Sequence, residues 1–371
     1  MLRVGYVIGD PAGHAVRGIG VYNKNLLPVI QKLGKKEKIE VVSVADHRSL
    51  GTGHYDIVHW PYFDFFTSTL SLVGGQKTIV SIYDCIPLIY PKNYPSGVRG
   101  AINFWKQKHA LGKVDAVITI SETSKKDIVR FLDVPSQKIH VVYGAPGNEV
   151  APITDHGLLM TVQKKYALPS SFVLYVGDIN YNKNVLNLVK ACNLTKTPLV
   201  IVGKHATQIE TIANFEVRLD GPRDMARWFL GKPHPEVAHY RDLLAQIAKS
   251  KHVIRLGFVD PLDLAVIYSL ATVYCQPSFY EGLGMGVLEA FAAGLPVVAS
   301  KAQALVEVAG KAALYFDPNS PDDIAAKITK VISDGALSSS LVKNGSERLR
   351  LFSWAKTAKL VLDVYKSLAA N

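Results

Sequence analysis

The run Pro277-Ser278-Phe279-Tyr280-Glu281-Gly282-Leu283-Gly284-Met285-Gly286-Val287-Leu288-Glu289-Ala290 decides the fold. It follows a strand-like stretch at residues 271–275 and leads into a helix-like one at residues 288–293. Strand, glycine-rich turn, helix is how α/β proteins expose backbone N–H groups and a helix N-terminus to an anionic ligand. Carboxylates attract no anion. Glu281 and Glu289, flanking such a nest, therefore point to a ligand with hydroxyls as well as phosphates, and a nucleotide sugar has both. The same turn also reads as a plain helix start. What favours the ligand reading is the order of the parts and a second glycine turn, Gly18-Ile19-Gly20.

Outward from this run, strand and helix patterns alternate along the chain. Strands are expected at residues 2–8, 39–44, 57–60, 77–82, 116–120 and 139–142, with helices at 20–33, 95–111 and 123–132. A looser segment, 144–171, contains Pro146, Pro152 and Pro169 and reads as a linker. The alternation restarts at 172–176, 199–202, 253–256, 273–276, 296–300 and 313–316. Residues 214–238 read as an irregular insert rich in Arg, Trp and Pro. Strands separated by helices imply parallel, doubly wound sheets. The expected architecture is α/β, with two Rossmann-like domains, 1–150 and 151–353, facing a deep cleft where ligands meet the C-terminal ends of the strands.

Composition narrows the class. At 371 residues, 48% hydrophobic and 20% charged, the chain fits a two-domain globular protein. No run of apolar residues is long enough to span a bilayer. The first residues read as a strand rather than a signal peptide. Cys85, Cys192 and Cys275 are scattered and form neither a disulfide framework nor a zinc site, so a cytoplasmic setting is expected. The net charge of +11 is spread along the chain, 18 basic against 12 acidic residues in 1–150 and 24 against 19 in the rest. Two clusters stand out: Lys32, Lys35, Lys36 and Lys38, and Arg99, Lys106, Lys108 and Lys113. An anionic membrane face or a diphosphate would suit them, and so would plain solvation.

Several motifs then fall into an order that resembles the retaining nucleotide-sugar glycosyltransferases of family 4, which have the two-domain GT-B architecture. They are Arg17-Gly18-Ile19-Gly20, Tyr83-Asp84-Cys85-Ile86-Pro87-Leu88, residues 120–128, Val176-Gly177-Asp178-Ile179-Asn180-Tyr181-Asn182-Lys183-Asn184, residues 256–259, the run 277–289 and residues 294–297. The resemblance covers nearly the whole chain. It implies that the C-terminal helix, 354–371, packs back on the first domain. It assigns Glu281 to donor-sugar hydroxyls and Glu289 to the nucleotide ribose, with Gly282, Leu283, Gly284 and Met285 offering N–H groups to sugar and phosphate. It places Gly177, Asn182 and Lys183 in a donor-phosphate loop. Two residues depart from the pattern: Tyr83 replaces the family's His and Asn182 its Arg. Tyr83 can still hydrogen-bond a sugar through its phenol, and Asp84 stands beside it as a catalytic candidate.

Chemistry supports part of this directly. Lys183 lies at a strand–helix turn, where an ammonium disfavoured by the helix dipole gains from a diphosphate. Gly18 and Gly20 let backbone approach phosphate. His14 and Arg17 share their loop and are the acceptor-side candidates; solvated loop residues are the alternative for both. Glu307 is a weaker carboxylate candidate. No Asp-x-Asp motif or His cluster marks a metal site, so no metal or cofactor is expected. The implied reaction is transfer of a glycosyl group, mannose from GDP-mannose first and UDP-sugars second, to a glycan or lipid-linked saccharide. Competing readings are weaker. A dinucleotide-dependent oxidoreductase needs a third glycine where Asn23 stands. A nucleic-acid binder needs a concentrated basic face. An inactive glycosyltransferase-like scaffold remains as the alternative raised by Tyr83 and Asn182.

Overall fold

The computed structural model describes residues 1–8, 18–45, 50, 53–72, 74–213 and 234–370. The chain divides into two compact units: Met1–Pro91, Pro95–Ala145 and Phe352–Asn371 form the first, Lys92–Tyr94 and Pro146–Leu351 the second.

The first unit is built on β1 (Leu2–Val7), β2 (Ile39–Val44), β3 (Ile57–Trp60), β4 (Lys77–Ser81), β5 (Ala116–Thr119) and β6 (Ile139–Val141). They pair in the order β2-β1-β3-β4-β5-β6, all parallel. Central strands of such a sheet are covered on both faces, so they read as unbroken apolar runs; β3 and β5 are buried along their whole length. The order reverses between β1 and β3. The C-terminal helix Trp354–Ala369 packs in this unit: the Trp354 and Tyr22 rings lie 5.2 Å apart, edge to face. Thr357 Oγ1 donates to the Tyr143 carbonyl at 2.7 Å, and the Tyr365 hydroxyl meets His59 Nδ1 at 2.7 Å.

The second unit holds β7 (Val173–Val176), β8 (Leu199–Val202), β9 (Val253–Leu256), β10 (Val273–Gln276), β11 (Val297–Ser300) and β12 (Ala313–Phe316). Their order is β12-β11-β10-β7-β8-β9, again all parallel. Counted within the unit this is the doubly wound 3-2-1-4-5-6 order, and its direction reverses between β7 and β10. Crevices for ligands open where the two loops leaving such a pair of strands diverge, at their C-terminal ends. The loops after β7 and β10 are the two that the sequence marks.

Two segments differ from the sequence reading. The stretch taken as a loose linker contains the helix His156–Lys165, started by the Asp155 side chain accepting from Leu158 N. Val162 is its buried residue, and at its far end Lys165 pairs with Asp263 at 2.6 Å. The end of the supposed insert, 235–238, opens the helix Pro235–Ala248, with proline in the first turn and Glu236 behind it. Residues 214–233 of that insert lie outside the described residues.

Candidate active site

β7 ends at Val176 and the chain leaves it through Gly177, whose φ of +150° suits glycine. A short 3₁₀ turn, Tyr181–Lys183, follows, then Asn184 in the left-handed region at φ +55° and the helix Val185–Thr195. Both asparagines beside Lys183 reach across to the loop after β10. Asn182 O accepts from Phe279 N at 2.8 Å, and its Nδ2 donates to the Tyr280 carbonyl at 3.2 Å. Its Oδ1 accepts from the Tyr94 hydroxyl at 2.6 Å. Asn184 Nδ2 donates to the carbonyls of Pro277 and Pro318 at 2.9 and 2.8 Å. The sequence reading gave Asn182 to the donor diphosphate. At 3% exposure, with both ends of its amide engaged, it braces the two loops.

On the β10 side a strand's period of two carries polar groups to one side. Tyr274, Gln276 and Ser278 alternate with apolar neighbours, and their side chains form a chain of hydrogen bonds. The Tyr274 hydroxyl donates to Gln276 Oε1 at 2.5 Å. Gln276 Nε2 donates to Ser278 Oγ at 2.9 Å and to Glu281 Oε1 at 3.0 Å. Ser278 Oγ donates to the same Glu281 oxygen at 2.6 Å. Lys183 Nζ completes the set, 2.8 Å from each Glu281 oxygen. Glu281 is 6% exposed, and these donors offset the burial of its polar oxygens. The sequence assigned Lys183 and Glu281 to opposite ends of one ligand; the structure joins them in an ion pair across a separation of 98 residues.

The turn that follows has little freedom. Gly284 has φ +94°, and a Cβ there would stand 2.4 Å from Leu305 Cδ2. A Cβ on Gly286 would stand 2.0 Å from the Tyr274 hydroxyl. The helix Met285–Ala292 starts at Gly284 with no side-chain cap, the arrangement that leaves a helix N-terminus to a ligand. Gly282 and Leu283 are buried in the turn. Glu289, half-buried on this helix, accepts from the Tyr268 hydroxyl at 2.7 Å. Burial raises its carboxyl to about 6, against the lowering influence of that hydrogen bond, and Glu149 adds to the rise. On the neighbouring strand end, Asp178 Oδ1 lies 2.6 Å from His205 Nδ1 and accepts from Ile179 N at 2.9 Å.

The other sequence candidates lie on other elements. Tyr83, in the first unit, donates its phenol to the Pro61 carbonyl at 2.9 Å and lies 3.2 Å from Asn23 Oδ1, beneath Tyr22. Its single proton is engaged inside the unit. Asp84 accepts from Ile86 N at 2.9 Å, at the start of the helix Ile86–Ile89. Gly18 and Gly20 open the helix Gly18–Lys36. His14 and Arg17 lie outside the described residues. Glu307 lies in the helix Gln303–Ala309, and its carbonyl accepts from Arg348 Nη2 at 2.6 Å. Among the described residues no group of three or more His, Cys, Asp or Glu could hold a metal ion. The sequence reading missed Gln276, Ser278 and Tyr268. The signal for the first two was present: polar residues at alternate positions of an otherwise apolar, buried strand.

Comparison with known proteins bears on the whole of this. The profile of the family described as Glycosyl transferases group 1 matches residues 162–348, half of the chain, and that of Glycosyltransferase Family 4 matches residues 22–145. The O-antigen chain mannosyltransferase B of Escherichia coli is 27% identical over 78% of this chain and 68% of its own length. The serotype-specific mannosyltransferase WbdA of the same species is 27% identical over 79% of this chain, which spans about a third (34%) of that longer protein. Among solved structures, sucrose-phosphate synthase from Thermosynechococcus elongatus superposes with a TM-score of 0.70, at 20% identity, over all of both chains. HepE from Anabaena, solved in complex with UDP and glucose, gives 0.69 at 15% identity over 99% of this chain and 100% of its own. The fold, with its pair of six-stranded parallel sheets, is GT-B, and the chain belongs to the group 1 glycosyl transferases as a family 4, mannosyltransferase-like glycosyltransferase.

Proposed function

We propose that this glycosyltransferase moves a mannosyl group from GDP-mannose to a cell-surface glycan or lipid-linked saccharide, with retention at the anomeric carbon. The observation that carries this reading is the Lys183–Glu281 pair, set between the loops after β7 and β10 beside an uncapped helix start. A nucleotide sugar offers complementary groups to each part. Diphosphate oxygens draw on the Lys183 ammonium and on the N–H groups of Gly282, Leu283, Gly284 and Met285. Sugar hydroxyls donate to Glu281, which gains them as the ammonium turns toward phosphate. Ribose hydroxyls donate to Glu289.

Retention by two carboxylates requires one of them as nucleophile, about 5–5.5 Å from the other. Both Glu281 oxygens already accept hydrogen bonds, an environment for holding hydroxyls rather than for attack. A front-face route suits it better: the leaving diphosphate takes the acceptor's proton while Lys183 and the helix N-terminus meet the developing charge. No step then needs a metal. His14 and Arg17 remain the acceptor-side proposal. A lipid-linked acceptor would keep the enzyme in the cytoplasm at a membrane face, in peripheral contact with anionic lipid and with no nucleic-acid partner.

The mannose assignment is supported by the names of the mannosyltransferase relatives. A UDP-sugar is the second reading, favoured by HepE having been solved with UDP-glucose. A thermal-shift screen of GDP-, UDP- and ADP-sugars separates them, since a ligand at 100 times its dissociation constant stabilises by ~2.7 kcal/mol. The anomeric configuration of the product, read by NMR, tests retention. Stabilisation by none of these donors would sink the reading.

A further inference from the structure

The helix Gly97–Leu111 has two apolar stripes, and the fold uses one of them. Gly100, Phe104, Gln107 and Leu111 recur at helical spacing and point inward. Phe104 packs edge to face on Phe65 and Phe66, and Gln107 Nε2 donates to the carbonyls of Asp64 and Thr67 at 3.1 and 2.8 Å. Val98, Ile102 and Trp105 are spaced i, i+4, i+7 and stand on the opposite side, 55%, 53% and 70% exposed. Trp105 is stacked on His109, one turn further along the same outward face, with centroids 6.1 Å apart. A core-facing helix needs no second apolar stripe, and an exposed tryptophan is costly to leave in water.

The flanks of that stripe are basic. Arg99 and Lys106 are exposed beside it and Lys113 stands just past the helix end. The helix contains no acidic residue. Lys108 is turned away, 2.7 Å from Asp133. We propose that this face of the first unit is a docking surface for an anionic lipid bilayer, with Val98, Ile102 and Trp105 entering the headgroup boundary and Arg99, Lys106 and Lys113 meeting lipid phosphates. Charge complementarity and the tryptophan select this occupant: indole rings settle at the level of the headgroups, where basic residues neutralise anionic lipid. Three side chains supply far less than the ~1,000 Å² expected of a stable protein–protein interface, which disfavours a second copy of the chain. The other basic cluster, Lys32 to Lys38, carries Glu37 in its midst and shows no exposed large apolar residue. The assignment rests on the peripheral membrane contact proposed above and gives it a surface.

The test is sedimentation of the full chain with vesicles of phosphatidylcholine containing phosphatidylglycerol, at low and high salt. The wild type is expected to bind and to release as salt rises. Ile102→Ser with Trp105→Ser should lower partitioning by about tenfold or more. Arg99→Gln with Lys106→Gln should lower it by about fivefold for each charge and flatten its salt dependence. Lys32→Gln with Lys36→Gln should lower low-salt partitioning by less than the Arg99 and Lys106 pair does. All variants should keep wild-type melting temperature and donor hydrolysis, because the altered groups lie on the surface. Vesicle binding that survives both helix variants would overturn the surface while leaving membrane contact standing. No binding by the wild type would overturn both. A concentration-dependent dimer lost with Trp105→Ser would give the face to a second copy and overturn the lipid assignment. Donor stabilisation in the thermal-shift screen is independent of every arm.

Discussion

At the scale of single residues, the Lys183–Glu281 pair decides how the site responds to change. Lys183→Ala takes the ammonium from a buried carboxylate and leaves it the Ser278 and Gln276 donors. A lost charge-assisted bond of this kind costs about 1–3 kcal/mol, which lowers the melting temperature by several degrees. The same variant should weaken nucleoside-diphosphate binding and reduce kcat/KM by about 10–150-fold, much of it in kcat, because charge grows on the leaving diphosphate. Glu281→Gln removes the carboxylate that competes for the ammonium. Calorimetry should find nucleoside-diphosphate affinity no weaker than wild type, while transfer falls by about tenfold or more. If Glu281→Gln weakened that affinity as much as Lys183→Ala, the two residues would not divide sugar and phosphate between them. Glu289 gives a pH signature. Burial raises its carboxyl from the ordinary 4.5 to about 6, so the folded chain holds this proton to higher pH than the unfolded chain does. Its contribution to stability is fully present below the unfolded value and is lost as pH rises through about 6, by at most ~2 kcal/mol. Glu289→Gln should remove that loss: compared with wild type, its melting temperature should fall less between pH 4.5 and 7. Equal falls in the two proteins would contradict the raised carboxyl.

At the scale of elements, the turn into the helix Met285–Ala292 and the C-terminal helix each carry a prediction. Gly286→Ala places a methyl 2.0 Å from the Tyr274 hydroxyl, at the head of the hydrogen-bond chain that ends on Glu281. Either the tyrosine or the helix must shift, so activity should fall by far more than a Gly→Ala change in an exposed helix would cause, and stability should drop by about 1–3 kcal/mol. Wild-type turnover in this variant would show that the chain from Tyr274 does not hold Glu281. The helix Trp354–Ala369 buries Trp354, Val361, Leu362 and Tyr365 within the first unit. Truncation after Ser353 strips that cover and should leave a protein that aggregates or melts many degrees lower. Tyr365→Phe is the gentler probe. Its hydroxyl is the partner of His59 Nδ1, and His59 is held neutral by burial, which lowers its pKa to about 3. Loss of one bond to a buried ring should lower stability by about 1–3 kcal/mol without changing donor affinity. A truncated chain with wild-type stability would remove this helix from the unit's core.

At the scale of the whole molecule, transfer should persist in excess chelator, since the proposed route assigns the diphosphate charge to Lys183 and a helix N-terminus; activity lost to chelator and restored by magnesium or manganese would contradict it. The alternation of apolar runs with helical periodicity already marked the twelve strands of the described residues at their places in the chain, because strands covered on both faces read as largely apolar runs. The glycine turn and its two acids were legible for a similar reason. Glycine is favoured by the backbone at Gly284, where φ is +94°, and that requirement is local. The sequence also placed Lys183 and Glu281 in the loops that follow β7 and β10. What only the tertiary structure decided is which of those residues touch. Strand order brings β7 beside β10 although nearly a hundred residues part them, so the contact of Lys183 with Glu281 could not be read from spacing. The same holds for Asn182 and Tyr83. An amide or a phenol is equally suited to a ligand and to a backbone carbonyl, and the choice depends on which carbonyl the fold carries to it: Tyr280 for the one, Pro61 for the other. Backbone conformation and burial are set by local composition, while hydrogen-bond partners are set by the register of distant segments.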